Sequence, residues 1–166
     1  MIILGIDPGI ATTGWGVLAV ERGKIRPLAY GSLETPKTLT TPERLDQIWR
    51  DMNELFDTYR PEWMAIEELF FTNNKTTGIR VAEARGIMLL SAQQHGAQIA
   101  EYTPMQVKQA VVGYGGAEKK QVIAMVTKLL GLPAPPKPDD TDDAIAIAIC
   151  HAHTGASRIA AYYNQN

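Results

Sequence analysis

The chain has 166 residues, 45% of them hydrophobic and 20% charged, a composition typical of a globular domain that excludes a disordered or fibrous chain. Its single cysteine, Cys150, excludes an intrachain disulfide framework and predicts a small core residue in a reducing, cytoplasmic location. The apolar N-terminus reaches Asp7 with no basic region before it. It therefore predicts neither a secretion signal nor a membrane span.

The charges are distributed unevenly along the chain. Residues 1–71 carry 7 basic and 11 acidic groups, a net charge of −4, whereas residues 72–138 carry 8 and 3, a net charge of +5. Residues 139–166 carry 1 basic and 4 acidic groups, a net charge of −3. An acidic region beside a basic one suits a protein that binds a metal ion with one part and phosphate with another.

The first part of the chain predicts three strands and a helix. Residues 1–7 are almost continuously apolar, as expected of a central strand. Residues 15–20 and 25–33 predict two more strands, and the short links between the three predict an antiparallel meander. A helix then begins with Thr41 as its N-cap and ends at Arg60.

The rest of the chain predicts further elements without a repeat or an interdomain linker. They are a strand at 63–66 ending in Glu67, a helix near 76–94, a strand at 97–101, helices at 104–112 and 118–130, an extended proline-rich connector at 132–138, and a helix from Asp139 or Asp140. Ile79 and Leu90 are predicted on the apolar side of the 76–94 helix. Residues 1–166 therefore predict one α/β domain, with about the last ten residues as a loose tail.

The strand order connects this pattern to chemistry. A right-handed crossover places the strand ending at Glu67 parallel to the strand ending at Asp7. If the two strands are neighbours, both carboxylates lie at the same end of a mixed five-stranded sheet, three strands antiparallel and then two parallel, flanked by helices. Taken singly, each acid is explained as well by a turn or a helix cap.

Four aspartates stand within five residues at positions 139–143, directly before an apolar helix. Capping and the helix dipole account for one or two of them, and a divalent cation would offset the repulsion among the rest. Asp140 and Asp143 are three apart and share a helix face, whereas Asp142 points elsewhere. Carboxylates alone select Mg²⁺ or Mn²⁺, and two such ions can hydrolyse a phosphodiester. The predicted metal and catalytic residues are Asp7, Glu67, Asp140 and Asp143.

Five short motifs, in this order and spacing from residue 1 to about residue 153, resemble the RuvC family of crossover-junction endodeoxyribonucleases. They are Gly5-Ile6-Asp7-Pro8-Gly9 with Thr13-Gly14-Trp15-Gly16, Ala65-Ile66-Glu67, Met105-Gln106-Val107-Lys108-Gln109, Ala117-Glu118-Lys119, and Asp140-Thr141-Asp142-Asp143-Ala144 with Ala146-Ile147-Ala148. Two positions depart from the family pattern. Asp142 stands where a small residue is expected, and Glu68 doubles Glu67.

The resemblance implies a ribonuclease H-like fold and a homodimer that makes symmetric nicks in four-way (Holliday) DNA junctions with two Mg²⁺ ions, in homologous recombination and DNA repair. It implies that Lys108 and Lys119 lie near the scissile phosphate, and that Phe70 stacks on an unpaired base. It assigns dimerisation to the helix near 76–94. It also implies a branch-migration motor complex of the RuvA and RuvB type as partner.

Other interpretations fit part of the pattern. Another ribonuclease H-like nuclease, acting on RNA or on simpler DNA branches, would use the same acids. A sugar-kinase or actin-like ATPase also opens with an Asp-x-Gly strand end but needs a second domain. A non-catalytic DNA-binding module would have no use for acids that repel phosphate. Phe70 has an alternative role as a hydrophobic anchor for its loop.

Overall fold

The computed structural model describes residues 1–69 and 75–163, with side chains described for residues 1–69 and 77–155. Its elements, in chain order, are β1 (Ile2–Asp7), β2 (Thr12–Glu21), β3 (Lys24–Glu34), α1 (Thr41–Tyr59), β4 (Trp63–Glu67), α2 (Lys75–Gln94), β5 (Gln98–Tyr102), α3 (Pro104–Val112), α4 (Lys119–Leu129) and α5 (Asp139–Tyr163). No helix in these ranges is both long and apolar enough to cross a bilayer.

The five strands form one sheet in the order β3-β2-β1-β4-β5. β1 pairs antiparallel with β2, which pairs antiparallel with β3, while β4 lies parallel to β1 and to β5. The predicted mixed sheet is confirmed. The strands β2 and β3 are longer than their apolar cores indicated, because the hairpin ladder continues into polar residues on both sides.

Helix α1 begins one residue earlier than the sequence suggested. Its N-cap is Thr40, because the side chain of Glu43 accepts a hydrogen bond from the Thr40 amide at 2.7 Å and completes a capping box. The prediction of Thr41 as the cap was therefore wrong. Pro42 was expected at the first helical position and stands at the second.

Helices cover both faces of the sheet and divide the core in two. α1 and α2 pack on one face, around the buried residues Ile48, Phe56 and Met88. α3, α4 and α5 pack on the other, where Ile145 and Cys150 are fully buried. Cys150 is thus the core residue that its position predicted.

Two residues that the sequence placed on the apolar, packed side of α2 are exposed. Ile79 is 56% exposed and Leu90 is 48% exposed, whereas Ala84, Met88 and Ala92 face the core. The helix is apolar on two sides, so periodicity in the sequence does not distinguish the side that packs on the sheet from the side that does not.

Helix α5 approaches the sheet so closely that the backbones meet. A Cβ at Gly14 would lie 1.8 Å from the Asp140 carbonyl oxygen, and one at Gly5 would lie 2.1 Å from that of Ala144. Only glycine leaves room for these contacts. The absence of side chains at the two positions therefore sets where α5 begins relative to β1 and β2.

We expect Gly14→Ala to destabilise the protein by at least about 1–3 kcal/mol, because the added methyl group must displace the helix backbone. Gly116→Ala is the control, since a Cβ there meets no atom closer than 3.8 Å. Urea unfolding of the two variants and the parent measures the difference. Equal unfolding free energies for both variants would contradict the close approach.

Candidate active site

Asp7 and Glu67 lie at the ends of neighbouring parallel strands. Ile6 and Ile66 are register partners between β1 and β4, so Asp7 and Glu67, which follow them, lie side by side at the ends of these strands. The structure thus brings together the two acids that the sequence placed at strand ends. We call Asp7, Glu67, Asp140 and Asp143 the acidic cluster.

Helix α5 supplies the other two members of the cluster. Gly14 is the register partner of Asp7 across the β1–β2 ladder, and it is also the residue on which the Asp140 backbone rests. The first turn of α5 is therefore held beside the end of β1. The negative charges of Asp143, Glu67 and Asp140 all act on Asp7, which places the four carboxylates in one electrostatic unit.

Burial and mutual repulsion shift the ionisation of the cluster. Burial, followed by the charges of Asp143, Glu67 and Asp140, raises the pKa of Asp7 from 3.8 to about 8, with Lys119 opposing the shift. Burial and Asp143 also raise the pKa of Glu67. Lys119 offsets only part of the repulsion felt by Asp7, and a bound cation would offset more of it.

Asp142, one of the two residues that depart from the family pattern, is 1% exposed. Neither of its carboxylate oxygens has a hydrogen-bond partner among the described residues. Burial and then the charge of Asp143 raise its pKa to about 7. The residue points away from solvent, which excludes a solvent-facing role for this extra acid, and a buried carboxyl without partners favours its protonated form.

Lys119 lies directly against the aspartates of α5. Its ammonium group is 2.9 Å from Asp143 Oδ2 and 3.5 Å from Asp139 Oδ2. Burial works against its charge, yet the hydrogen bond and attraction to Asp143, with a further contribution from Asp139, leave the pKa of Lys119 raised. The sequence predicted Lys119 near the site, but the pairing with Asp139 was missed, because nothing in the spacing relates α4 to the exposed side of α5.

Lys108 shares a cleft of about 200 Å³ with Lys119, Glu67 and Asp143. The cleft lies between α3, α4 and the acidic cluster. Two basic and two acidic side chains from four elements thus open onto one space. Phe70 was also predicted for this site, but it lies outside the described residues.

The donor set matches the chemistry of a divalent cation that prefers oxygen. All four members of the cluster are carboxylates. Within residues 1–69 and 75–163, no three Asp, Glu, His or Cys side chains are arranged to hold an ion as they stand. Lys119 neutralises Asp143 and Asp139 in this arrangement.

His151 and His153 take no part in the cluster. The His151 ring is buried and hydrogen-bonds to the Tyr102 hydroxyl at 2.7 Å, and His153 Nδ1 lies 3.0 Å from the Ala110 carbonyl oxygen. Both histidines connect α5 to its neighbours.

A mixed five-stranded sheet with carboxylates at the ends of two parallel strands, completed by acids on a helix, is the arrangement of a ribonuclease H-like nuclease. Residues 3–151 match the family model described as crossover junction endodeoxyribonuclease RuvC. Proteins of that name from Alkaliphilus oremlandii and Brevibacillus brevis are 54% and 55% identical to this chain, over 93% and 92% of it and 94% and 92% of their own lengths.

Solved structures agree with this assignment. Thermus thermophilus RuvC in complex with a Holliday junction substrate is 39% identical, covers 95% of this chain and 96% of its own, and superposes with a TM-score of 0.90. The yeast mitochondrial resolvase Ydc2, at 13% identity, covers 93% of this chain and 80% of its own with a TM-score of 0.67, a likeness of fold alone. The chain belongs to the RuvC family of crossover junction endodeoxyribonucleases.

The raised pKa of Asp7 predicts how stability depends on pH in the absence of divalent ions. Its folded-state pKa of about 8 lies above the ordinary 3.8, so between these values the unfolded chain releases a proton that the folded chain keeps. The free energy of unfolding therefore falls as pH rises through this window. Near pH 8, at the upper end of this window, we expect Asp7→Asn to be more stable than the parent by more than about 1 kcal/mol. A difference of that size corresponds to roughly one pKa unit.

This difference should shrink towards about pH 4, where both states of the parent are protonated at Asp7. Urea unfolding in EDTA across the window measures it. Parallel stability curves for Asp7→Asn and the parent would contradict the raised pKa.

Proposed function

We propose that this protein resolves four-way DNA junctions by paired, symmetric hydrolysis of phosphodiester bonds. The acidic cluster at the ends of β1 and β4 is the observation that carries this proposal, together with membership of the RuvC family. A relative solved with a Holliday junction substrate supports the same substrate here. The protein would act as one nuclease domain, residues 1–166, in cytoplasmic homologous recombination and DNA repair, beside a branch-migration motor of the RuvA and RuvB type.

Family membership makes the enzyme a metal-dependent nuclease. We assign the ions as two Mg²⁺, with Mn²⁺ as a substitute, held by Asp7, Glu67, Asp140 and Asp143. Two such ions, when bound, activate a water molecule and stabilise the oxygen that leaves the cleaved phosphodiester. Asp7 is assigned the central position because the three other members of the cluster all act on its ionisation.

The two lysines of the cleft are assigned to the DNA backbone. Lys119 already lies 2.9 Å from Asp143, so a phosphate bound at the cluster comes within its reach. Lys108 lines the same cleft beside Glu67. Lysine contacts to phosphate position the DNA without reading its sequence. They also supply positive charge in a region where the acidic cluster alone would repel the substrate.

Phe70 is assigned to an unpaired base at the junction. It follows Glu67 by three residues in the sequence, so it lies close along the chain to the cluster. Stacking of a base on an aromatic side chain contributes roughly 1–3 kcal/mol, which helps to hold a base that the branch point has already unstacked.

Asp7→Asn should abolish cleavage of a four-way junction in Mg²⁺ while junction binding is retained, because the amide lacks the charge to hold the cation but also removes a repulsive charge facing phosphate. A gel-shift titration in Ca²⁺ and a cleavage time course measure the two effects. Asp46→Asn is the matched control, since Asp46 lies on α1, on the opposite face of the sheet, paired with Arg50.

The substrate panel for this experiment contains a four-way junction, a linear duplex, a three-way branch and an RNA–DNA hybrid. We expect the parent and Asp46→Asn to cut the junction and Asp7→Asn to cut none of the four. Cleavage by Asp7→Asn at the parent's rate would overturn the metal assignment. Preference of the parent for the hybrid or the simpler branch would favour another ribonuclease H-like activity.

We also propose that two copies pair through the outer side of α2. Ile79, Glu83, Gly86 and Leu90 recur at helical spacing on the side that faces away from the core. A Cβ at Gly86 would meet no atom within 4 Å, so nothing within the chain requires glycine there. Glycine within a helix is about 1 kcal/mol less favourable than alanine. A second helix packed closely against Gly86 explains its presence, and a twofold dimer matches the symmetry of a four-way junction.

Leu90→Glu should convert the dimer to a monomer at micromolar concentration, because it buries a charge in the proposed helix pair. Leu28→Glu is the control, since Leu28 is similarly exposed but lies on β3, at the far side of the sheet. Sedimentation velocity distinguishes the two species. A parent that sediments as a monomer, or a Leu90→Glu variant that remains a dimer, would contradict this interface.

A further inference from the structure

The guanidinium group of Arg85 connects helix α2 to the end of strand β4. Its Nε donates a hydrogen bond to the backbone carbonyl of Glu67 at 3.1 Å, and its Nη2 forms an ion pair with Glu101 of β5. Arg85 is 9% exposed, whereas its ion-pair partner Glu101 has a side chain that is about half exposed. The residue carries no sequence motif, and nothing in the spacing of α2 distinguishes it from a surface arginine.

The hydrogen bond to Glu67 occurs where the sheet ladder fails. Met1 and Val20 exchange two backbone hydrogen bonds. The backbone N–H and C=O groups of the odd-numbered residues of β1 therefore point toward β2, and those of the even-numbered residues point toward β4. Ile6 is the register partner of Ile66. If the parallel ladder continued, the next hydrogen bond would run from the backbone N–H of residue 8 to the Glu67 carbonyl oxygen. Residue 8 is proline and has no N–H to donate. Arg85 supplies the donor that Pro8 lacks.

The other side of this strand end is fixed independently. The Glu68 amide donates to the Tyr102 carbonyl at 2.9 Å, so β4 stays attached to β5 one residue beyond Glu67. The Glu67 carbonyl therefore faces β1, and Arg85 binds it there. Because the carbonyl direction determines how the backbone leaves the strand, it also determines where the Glu67 carboxylate lies relative to Asp7.

We propose that Arg85 is a positioning residue, which holds the Glu67 carboxylate in the acidic cluster by binding the Glu67 backbone carbonyl. This role rests on the proposed function, in which Glu67 binds metal. Arg85 touches neither the cation nor the DNA. Since it comes from α2, it also links the proposed dimer helix to the geometry of the cluster on the other side of β4.

Arg85→Lys is the decisive variant. Lysine keeps a positive charge for Glu101 but lacks the planar fork that serves two acceptors at once. We expect Mn²⁺ binding by the DNA-free protein, measured by isothermal titration calorimetry, to weaken by roughly 10–100-fold, as for other residues that orient metal ligands. In cleavage assays at fixed Mg²⁺, kcat should fall while KM for the junction stays within about twofold, because no DNA contact is removed.

Two further variants separate positioning from general stability. Arg50→Lys, on the surface of α1, controls for the same substitution in an exposed ion pair and should match the parent in all measurements. Glu101→Gln removes the ion pair of Arg85 but keeps the Nε–carbonyl bond, so it should weaken Mn²⁺ binding much less than Arg85→Lys. It also serves as the test if Arg85→Lys does not fold. A loss for Glu101→Gln as large as that expected for Arg85→Lys would assign the effect to the ion pair and overturn the carbonyl role.

Unchanged Mn²⁺ affinity and kcat in a folded Arg85→Lys variant would likewise overturn the positioning role. The parent distinguishes this failure from failure of the proposed function. A parent that neither binds Mn²⁺ nor cuts the junction overturns the proposed function itself. A normal parent with an unaffected Arg85→Lys variant overturns only the assignment of Arg85.

Discussion

The backbone contact between helix α5 and strands β1 and β2 is the constraint on which the rest of the structure depends. At Gly5 and Gly14 no side chain separates the helix from the sheet. The first turn of α5 is therefore fixed beside Asp7, although the carboxylates brought together there repel one another. The repulsion is offset by the apolar part of the same helix, residues 144–150, which is buried without interruption. Burial of a core thus holds in place a cluster that its own charges would disperse.

Much of this arrangement was predictable because it depends on local patterns. The apolar strands ending in Asp7 and Glu67, the crossover between them and the aspartates before an apolar helix together predicted the sheet order and the acids that meet. The remaining features depend on contacts between distant elements. The pairing of Lys119 with Asp139, the burial of Asp142 and the contact of Arg85 with Glu67 leave no periodic signal. Because α2 has apolar residues on two sides, the sequence pattern wrongly assigned Ile79 and Leu90 to the side that packs on the core.

The proposed cleavage site and the proposed dimer surface lie on opposite faces of the sheet. α3, α4 and α5 cover the face that carries Lys108, Lys119 and the helical aspartates, whereas α1 and α2 cover the face whose outer surface is proposed to bind a second copy. Arg85 of α2 binds the backbone of Glu67, the acid at the end of β4. Substitutions on the α1 and α2 face are therefore expected to alter dimer assembly, and substitutions on the other face to alter cleavage. The end of β4 is the exception, because Arg85 connects α2 to Glu67 there.

The order of the elements, with α5 after the strands of the sheet, has a consequence for biosynthesis. Proteins are made from the N-terminus, and domains fold as their segments emerge. A nascent chain that has reached residue 138 contains all five strands, Asp7 and Glu67, but neither Asp140 nor Asp143. The carboxylate set thus stays incomplete until α5 is translated and packs against Gly5 and Gly14. A chain interrupted at residue 138 would carry the strands of the sheet but lack two of the four acids proposed to bind metal.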